Sequence, residues 1–557
     1  MSAAVASPVR AVDPWRIVGI VALLLLFVFV ALPVLELLRQ SLVGQDCDCL
    51  SVENYTTFFT SRYFTRALFN SLVVSTGATL IALAIGLPLA IVLSRYRLRG
   101  GSFLKIMIVM SMLSPPFVGA YAWILLFGRA GFVTQLGRDW FGISLPTIYG
   151  PFGIALASAL NLYPVVFFIV SGALQRIDTS LEDAAAGLGR APTAVFATIT
   201  LPLVMPSLVT AALLVFLGTI SDFGTANILG EGERYPVLAT LAFALYLSEI
   251  GSEPGMAATT SMVLLAIALG LVLLVRFLSG RRSVAADGGQ PRRPMILSGR
   301  RTVVVTMLAF GLVAFANLPL FIIVGSSFLE VKGAVFQWSL SLGNYAKAYA
   351  LMGNALLNSI LFSLQALAII LVAGALLGYY VSRFQGQLPR LVDGLVTIPY
   401  VIPGTVLGIG YASLFNGPPF FLTGTSAIIV IVYVVRRLPY LVRSSSGIVY
   451  QIDRGLEEAS QSLGVRPMEG FLRIMVPLMR PGLVAGLIIA WLEVFNELSA
   501  SIVLYTGATR TLPIAAFQQA FSGDIGIAAA YSSIMILVTA LALLMLVRQD
   551  GVDAVMR

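Results

Sequence analysis

Three carboxylates interrupt apolar stretches of this sequence and are its first candidates for chemistry. Asp222 and Glu497 each lie within such a stretch, and Glu493 precedes Glu497 by one helical turn, so both would share a helix face. Ionisable groups inside a membrane span are costly and usually face a cavity or a partner. Because oxygen ligands suit hard cations, these carboxylates predict a pathway for such an ion. The alternative is that they pair with nearby arginines or act as structural hydrogen bonders.

The other polar residues extend the predicted pathway, and the residue types that are missing exclude several kinds of catalytic site. The predicted translocation pathway also includes the polar neighbours of these carboxylates, which are Ser221, Asn227 and Asn496. The sequence contains no histidine, which excludes His-based zinc sites, histidine general bases and Ser-His-Asp triads. Metal ligands therefore stay unassigned at this point.

The composition indicates which solvent surrounds these residues. Of 557 residues, 58% are apolar and 11% are charged, whereas a soluble protein has roughly 45–50% apolar and about 25% charged residues. So much apolar surface requires a bilayer, and the sequence predicts an all-α integral membrane protein. Apolar runs of about 20 residues suffice to cross the hydrocarbon core. About twelve such spans are predicted, near 17–39, 67–93, 104–128, 148–173, 203–228, 257–279, 302–326, 355–381, 391–415, 424–442, 483–506 and 527–547.

Positive charge predicts the orientation of these spans. Arginines gather before the first span, between the second and third spans, and at the join between the sixth and seventh. The intervening loops are neutral or acidic, so the positive-inside rule places both termini and the central join in the cytoplasm. The same basic loops account for the net charge of +9, which therefore does not indicate nucleic-acid binding.

An internal repeat divides the chain into two halves. The segment 181–206 matches 456–481 without a gap at an offset of 275, as 464 − 189 and 477 − 202 show. Earlier landmarks follow at an offset of 288, with residues 70–71, 94–95 and 115 matching 358–359, 382–383 and 403. Because both offsets keep the chain direction, two parallel six-helix repeats are predicted. Their boundaries are 1–280 and 301–557, with a Pro- and Gly-containing cytoplasmic linker over 281–300.

The matching segments predict two cytoplasmic elbows, defined here as residues 179–202 and 454–477. Each elbow should contain a short helix (179–188 or 454–463), a glycine turn, and a second short helix ending before Pro202 or Pro477. Gly189 and Gly464 are expected to end the first helices with positive φ. An ordinary amphipathic connector is the alternative, but its duplication favours two equivalent docking points for a two-fold symmetric partner.

The elbows resemble the cytoplasmic EAA motif, E-A-A-x3-G-x9-I-x-L-P, of permease subunits of binding-protein-dependent ABC importers. The first copy reads Asp183-Ala184-Ala185-x3-Gly189-x9-Ile199-x-Leu201-Pro202, and the second reads Glu458-Ala459-Ser460-x3-Gly464-x9-Ile474-x-Val476-Pro477. All spacings hold, while Asp183, Ser460 and Val476 depart from the motif. Together with the predicted spans, the resemblance covers nearly the whole chain.

The resemblance implies that each elbow carries a coupling helix seated in a groove of a cytoplasmic ATPase, with two ATPase copies per chain. The implied coupling residues are Glu182, Asp183, Ala184, Ala185, Gly189, Pro202, Glu457, Glu458, Ala459, Gly464 and Pro477. The chain lacks a G-x-x-x-x-G-K-[ST] sequence, so no enzymatic activity and no bound cofactor are expected, and the partner would use ATP and magnesium. A periplasmic substrate-binding protein, membrane lipid and the bacterial inner membrane are also implied.

Two halves fused in one chain resemble the ferric-iron type of importer, as does the stretch 496–502 followed by 511–513. The implied cargo is ferric iron, and thiamine, a phosphonate or a polyamine are the alternatives within the family. From another class, a proton-coupled secondary transporter also has parallel six-span halves. Its G-x-x-x-D-R-x-G-R-R-like loop is not matched by residues 95–100, and no nucleophile–base pair indicates an embedded enzyme.

Two further groups of residues have structural interpretations. Trp15, Trp140 and Trp338 are predicted to be anchors at the membrane interface. Cys47 and Cys49 are one residue apart, and both a disulfide and two loop thiols are open. Prolines within the predicted spans are expected to kink their helices. They are Pro115, Pro116, Pro399 and Pro403.

Overall fold

The computed structural model describes residues 14–44, 49–112, 114–143, 146–247, 253–279, 299–332 and 335–550. Helices dominate these residues, which confirms the predicted all-α membrane fold. By length and composition, 10 helices qualify as membrane spans, or 11 when one bent pair counts as a span. The span predicted near 424–442 is the 24-residue helix Ser426–Val449, which carries three arginines and is not among these helices. Cys47 and nearly all of the predicted linker lie outside the described residues.

The first half consists of long helices joined by short ones. Two π-helical turns, Phe27–Ala31 and Phe196–Thr200, lie within continuous helices, and a 3₁₀ turn covers Glu231–Glu233. In chain order the α-helices are Pro14–Leu26, Leu32–Ser41, Glu53–Thr60, Arg62–Arg95, Gly101–Met110, Pro116–Phe127, Phe132–Phe141, Pro151–Arg176, Thr179–Gly187, Pro192–Val195, Leu201–Ile220, Phe223–Gly230, Leu238–Leu247 and Pro254–Ser279.

The second half follows the same order and adds two small antiparallel hairpins. The hairpins pair Leu329–Lys332 with Val335–Leu340, and Asn416–Gly417 with Phe420–Phe421. A π-helical turn covers Phe471–Met475. The α-helices are Arg300–Ser327, Gly343–Met352, Ala355–Arg383, Gln387–Val401, Gly404–Leu414, Ser426–Val449, Gly455–Ser462, Pro467–Gly470, Val476–Phe495, Ser501–Leu504, Leu512–Phe521 and Ile525–Asp550.

Proline breaks the third span of each half more sharply than the expected kinks. In the first half, the helix ends at Met110 and a new one begins at Pro116, with Pro115 as its N-cap. In the second half, Pro403 caps Gly404–Leu414, which is bent by 111° from Gln387–Val401. Proline has no N–H and suits the first turn of a helix, so each proline starts a new helix here.

The elbow helices form as predicted, but the following segment does not end before its proline. The helices Thr179–Gly187 and Gly455–Ser462 begin and end within one residue of the predicted bounds. The next segment runs without interruption from Pro192 to Ile220, and its second-half counterpart from Pro467 to Phe495. A π-helical turn directly precedes Leu201 and Val476. We attribute the continuity to these wider turns, which accommodate the missing N–H of Pro202 and Pro477.

Repeat landmarks make equivalent hydrogen bonds in the two halves. The Ser71 hydroxyl accepts from the Leu238 N–H at 2.8 Å, and the Ser359 hydroxyl accepts from the Leu512 N–H at 2.7 Å. The adjacent Asn70 and Asn358 side chains donate to backbone carbonyls just before those helices. In each half, the beginning of the second span therefore positions the short helix near the end of the repeat.

The chain forms two compact units, each built from several segments. One unit comprises residues 1–35, 362–400 and 430–494, and the other comprises 36–361, 401–429 and 495–557. In the larger unit, one buried apolar cluster joins the helices Arg62–Arg95 and Pro151–Arg176 to Arg300–Ser327 through Ala309, Val313 and Ala316. The seventh span thus packs against helices of the first half.

In the smaller unit, Trp15 of the first span packs against rings of the second half. Its ring centroid lies 4.7 Å from Tyr379, 5.7 Å from Phe384 and 5.2 Å from Phe471. Only 3% of Trp15 is exposed, so the prediction of an interface anchor is wrong for this residue. Trp140 is 74% exposed, as an anchor outside the core would be. The N-terminal helix therefore contributes to the support of the second elbow.

Candidate functional site

An aspartate just before each elbow helix accepts a hydrogen bond from an N–H at the start of that helix. The Asp178 carboxylate accepts from the Ser180 N–H at 2.9 Å, and the Asp453 carboxylate accepts from the Gly455 N–H at 2.9 Å. Negative charge is favourable at this end of a helix dipole. These aspartates were not predicted as site residues, although 453 − 178 equals the repeat offset of 275 and could have identified them.

The adjacent acidic residues of the first elbow helix point in opposite directions. Glu182 is 6% exposed, and Ala185, one turn later, is 7% exposed. Asp183 and Ala184 are exposed on the other face, and Leu188 is 85% exposed. The predicted coupling residues therefore divide into an inner row that packs against the protein and an outer row that is open to a partner.

The second elbow helix repeats this division. Ser460 is 7% exposed and Glu457 is partly buried, whereas Glu458 and Ala459 are exposed. Leu463 is 84% exposed, close to the value of its first-half equivalent. Pro202 and Pro477 are also exposed, although both lie within continuous helices. The two elbows thus share the same pattern of buried and exposed positions.

The inner carboxylates pair with the last residue of the second-span helix in each half. Arg95 donates to Glu182, and the Arg383 Nε lies 2.6 Å from Glu457 Oε1. Sequence comparison had identified both arginines as repeat landmarks without assigning them a role. Their carboxylate partners are 87 residues away in the first half, so only the folded chain shows the pairing.

Both elbow helices end in the same backbone arrangement. Gly189 has φ of 81° and Gly464 has φ of 83°, which confirms the predicted left-handed turn. The next residue, Arg190 or Val465, donates its N–H to the carbonyl of Ala185 or Ser460 at 3.2 Å. This is the bond that closes a Schellman motif.

The predicted pathway residues of the first half lie at a break in the helix of the fifth span. The helix ends at Ile220, and a short one begins at Phe223. Asp222 is the N-cap of this short helix, and its carboxylate accepts from the Gly224 N–H at 3.0 Å. Irregular backbone at membrane depth is tolerated where it is buried in protein or lines a cavity. Asp222 thus caps the short helix, and it does so at a helix break, where a pathway through the membrane could pass.

The second half has an equivalent break, from 496 to 500. Glu497 is 4% exposed and accepts from the Ala500 N–H at 3.0 Å. The two breaks approach one another within the larger unit, since a Cβ on Gly224 would lie 3.2 Å from Leu498 Cδ2. Phe223 also packs against Phe517, with ring centroids 5.5 Å apart. The structure therefore brings together the two segments that were predicted to line a pathway.

Glu493 pairs with an arginine, and such pairing was the alternative interpretation of the predicted pathway carboxylates. Its Oε2 lies 3.0 Å from Arg437 Nη1 on the helix Ser426–Val449. The Arg437 guanidinium also lies over the Tyr440 ring, 5.9 Å from its centroid. First-half equivalents of Arg437 and Glu493 are Leu162 and Gly218 at the offset of 275, so this ion pair belongs to the second half alone.

The remaining polar residues of the predicted pathway are partly buried. Ser221 flanks Asp222 on the break, Asn227 lies in the short helix after it, and Asn496 precedes Glu497. The Asn227 Oδ1 is buried and accepts no hydrogen bond within the described part of the chain. Among the described residues, no three Asp, Glu or Cys side chains are grouped closely enough to hold a metal ion.

Comparison with known protein families gives a match in each half. Residues 82–284 and 370–550 both match the family described as "Binding-protein-dependent transport system inner membrane component". The two matched segments include the two elbows and the two helix breaks. Each half thus corresponds to one copy of the family's domain.

Curated relatives align over most of the chain. The ferric transport system permease protein FbpB of Actinobacillus pleuropneumoniae is 30% identical over 526 residues, which cover 93% of this chain and 75% of the relative. The Fe(3+)-transport system permease protein FbpB 2 of Haemophilus influenzae is 25% identical, covering 84% and 87%. The molybdenum transport system permease protein ModB of Escherichia coli is 32% identical over 215 residues, covering 38% and 90%.

A similar solved structure is that of a bacterial ABC transporter involved in the import of alginate. One of its chains shares 19% identity with this chain, with a TM-score of 0.40, and the match covers 48% of this chain and 96% of that one.

Proposed function

Since this chain belongs to the family of binding-protein-dependent transport system inner membrane components, we propose that it is the permease through which an ATP-driven importer moves ferric iron. The observation that carries the choice of cargo is the extent of similarity. A relative named as a ferric transport permease aligns with 93% of this chain, across both halves. The molybdenum transport relative aligns with 38% of it.

In this proposal the elbows bind two copies of a cytoplasmic ATPase. The shared pattern of exposed positions in the two elbows supports this, because equivalent docking points suit a two-fold symmetric partner. Leu188 and Leu463 are 85% and 84% exposed, so a bulky apolar side chain is open to a partner at the same position of each elbow. Asp183 and Glu458 provide the negative charge of this surface. The elbows and both termini then face the cytoplasm, in agreement with the positive-inside rule.

The pathway in this proposal passes the two helix breaks. Asp222 and Glu497 provide carboxylate oxygens there, which suit a hard cation such as Fe3+. The buried Asn227 Oδ1 supports a polar pathway, because a polar atom without a protein partner calls for water or an ion nearby. A periplasmic binding protein would deliver the ion at the opposite membrane face from the elbows.

The test is transport by the chain reconstituted in liposomes with its ATPase and an iron-loaded binding protein. We expect accumulation of 55Fe that requires ATP, both partner proteins and the intact chain. Molybdate, thiamine, a phosphonate and a polyamine serve as competing cargoes. Uptake driven by a proton gradient without ATP would overturn the ATP-driven mechanism, and ATP-dependent uptake of one of the competitors instead of iron would overturn the choice of cargo.

A further inference from the structure

Each half contains a shielded ion pair that joins its elbow helix to the end of its second-span helix. In the first half Arg95 pairs with Glu182, and their side chains are 16% and 7% exposed. In the second half Arg383 pairs with Glu457, and their side chains are 8% and 16% exposed. Both arginines are the last residues of their helices, Arg62–Arg95 and Ala355–Arg383.

Such an ion pair holds the elbow helix against the end of the second-span helix. Two charges withdrawn from water are stable only while they remain paired, and removing one partner leaves the other charge uncompensated. A displacement of the elbow helix therefore has to be followed by the end of the second-span helix. The connection lies on the inner row of the elbow helix, so it is separate from the outward residues Asp183 and Glu458.

The two ion pairs differ in which hydroxyl group donates a hydrogen bond to the glutamate. In the first half, Thr200 donates to Glu182 and accepts from Arg95 at 2.9 Å. Thr200 is fully buried in the π-helical turn that leads into the fifth span. The Arg95 guanidinium also lies over the Phe196 ring of that turn, 5.6 Å from its centroid. The first elbow helix is thus bound to the second span by the ion pair with Arg95 and to the fifth span by the hydrogen bond with Thr200.

In the second half, the hydroxyl comes from the second-span helix itself. Tyr379 donates to Glu457 at 2.6 Å, and it lies one turn before Arg383 on the same helix. Arg383 Nη2 also donates to the Ile452 carbonyl at 2.8 Å, just before the elbow helix. The residue equivalent to Thr200 is Met475, which has no hydroxyl. Within the described part of the chain, the Glu457 carboxylate is therefore held by one hydrogen bond and one ion pair, both from the second-span helix.

We propose that Arg95–Glu182 and Arg383–Glu457 are positioning pairs that transmit elbow movement to the membrane helices, and that they do so unequally. The first pair moves the second and fifth spans together through Thr200. The second pair moves the second span through Tyr379 and Arg383. Two identical ATPase subunits then drive different displacements in the two halves. This inference rests on the proposed docking of an ATPase at the elbows.

The main experiment compares Glu182→Gln and Glu457→Gln with the unchanged chain, reconstituted with ATPase and iron-loaded binding protein. Co-purification of the ATPase should be retained, because the outward residues are untouched. Iron transported per ATP hydrolysed should fall by roughly 2- to 30-fold, the range typical of coupling residues. The charge-reversed pair Arg95→Glu/Glu182→Arg should recover part of this ratio, which a loss of local packing alone would not produce. An unchanged ratio in both Gln variants would overturn the inference.

Two hydroxyl substitutions test the inequality and keep both ion pairs. Thr200→Val should lower the iron transported per ATP hydrolysed by weakening the connection of the first elbow. Tyr379→Phe should lower the same ratio by weakening the connection of the second elbow. Thr198→Val and Tyr450→Phe are the matched controls, since both side chains are exposed and the Thr198 hydroxyl donates to the Ala194 carbonyl. Equal ratios in Thr200→Val, Tyr379→Phe and their controls would overturn the unequal roles. By contrast, iron transport by the unchanged chain without ATP hydrolysis would overturn the proposed function itself.

Discussion

Gly189 and Gly464 have almost the same left-handed backbone, with φ of 81° and 83°, at equivalent positions of the two elbows. In both cases a Cβ built on the glycine would meet no atom within 4 Å. Space therefore does not require glycine at these positions, and the backbone conformation alone does. This separates the conformational role of each glycine from any packing role.

The first prediction follows from this separation. A non-glycine residue in the left-handed region costs about 1–2 kcal/mol, and asparagine is among the residues that tolerate it best. We expect Gly189→Asn/Gly464→Asn to retain ATPase co-purification and Gly189→Val/Gly464→Val to lose most of it. Co-purification of a tagged ATPase from membranes measures the effect. Normal binding and uptake in the valine variant would contradict the role of these turns.

The second prediction distinguishes the two roles of Asp222. Asparagine caps helices about as well as aspartate, whereas alanine costs about 0.5–2 kcal/mol at such a position. Asp222→Asn should therefore leave the amount of protein in the membrane unchanged but lower iron uptake per chain. Asp222→Ala should lower both quantities, measured by immunoblot and 55Fe uptake. If the asparagine variant transports iron normally, then Asp222 serves only as a cap.

The third prediction concerns the ion pair between Glu493 and Arg437. The Arg437 side chain is 13% exposed, and a shielded charge is costly without its partner, so Glu493→Gln should lower the melting temperature in detergent. Because the Glu493 side chain is 40% exposed, Arg437→Gln should lower it less. The double variant should be more stable than either single one. Arg443 and Asp393 form a more exposed pair at 2.9 Å and provide the control, for which smaller changes are expected. Additive losses in the double variant would show that the two side chains act independently.

The fourth prediction concerns the support of the second elbow by Trp15. Trp15→Ala removes a buried ring from an aromatic cluster, a change that typically costs about 3–5 kcal/mol. We expect a marked fall in thermal stability, and a smaller one for Trp15→Phe. Trp140→Ala is the control, because Trp140 is 74% exposed and such surface changes usually stay within about 0.5 kcal/mol. Similar stabilities for Trp15→Ala and Trp140→Ala would show that the ring cluster contributes little.

The sequence by itself determined the features that depend on neighbouring residues or on the repeat. The apolar runs specify the long helices, and the offset of 275 aligns the elbows with their glycine turns. Proline indicated where the third span of each half is disturbed, although the sequence predicted kinks where new helices begin at Pro116 and after Pro403. These features are readable because backbone dihedral preferences and helix periodicity act over a few residues, and because duplication displays each of them twice.

The tertiary structure alone decided which side chains meet. Glu182 and Asp183 are adjacent acidic residues in the sequence, yet one pairs with Arg95 and the other faces outward. The sequence likewise left open whether Glu493 has an arginine partner. It predicted Trp15 at the membrane interface, whereas the residue is buried against aromatic rings. A shielded charge takes whichever opposite charge the packing of distant helices brings within reach. That choice depends on the whole arrangement of helices, which no local pattern contains.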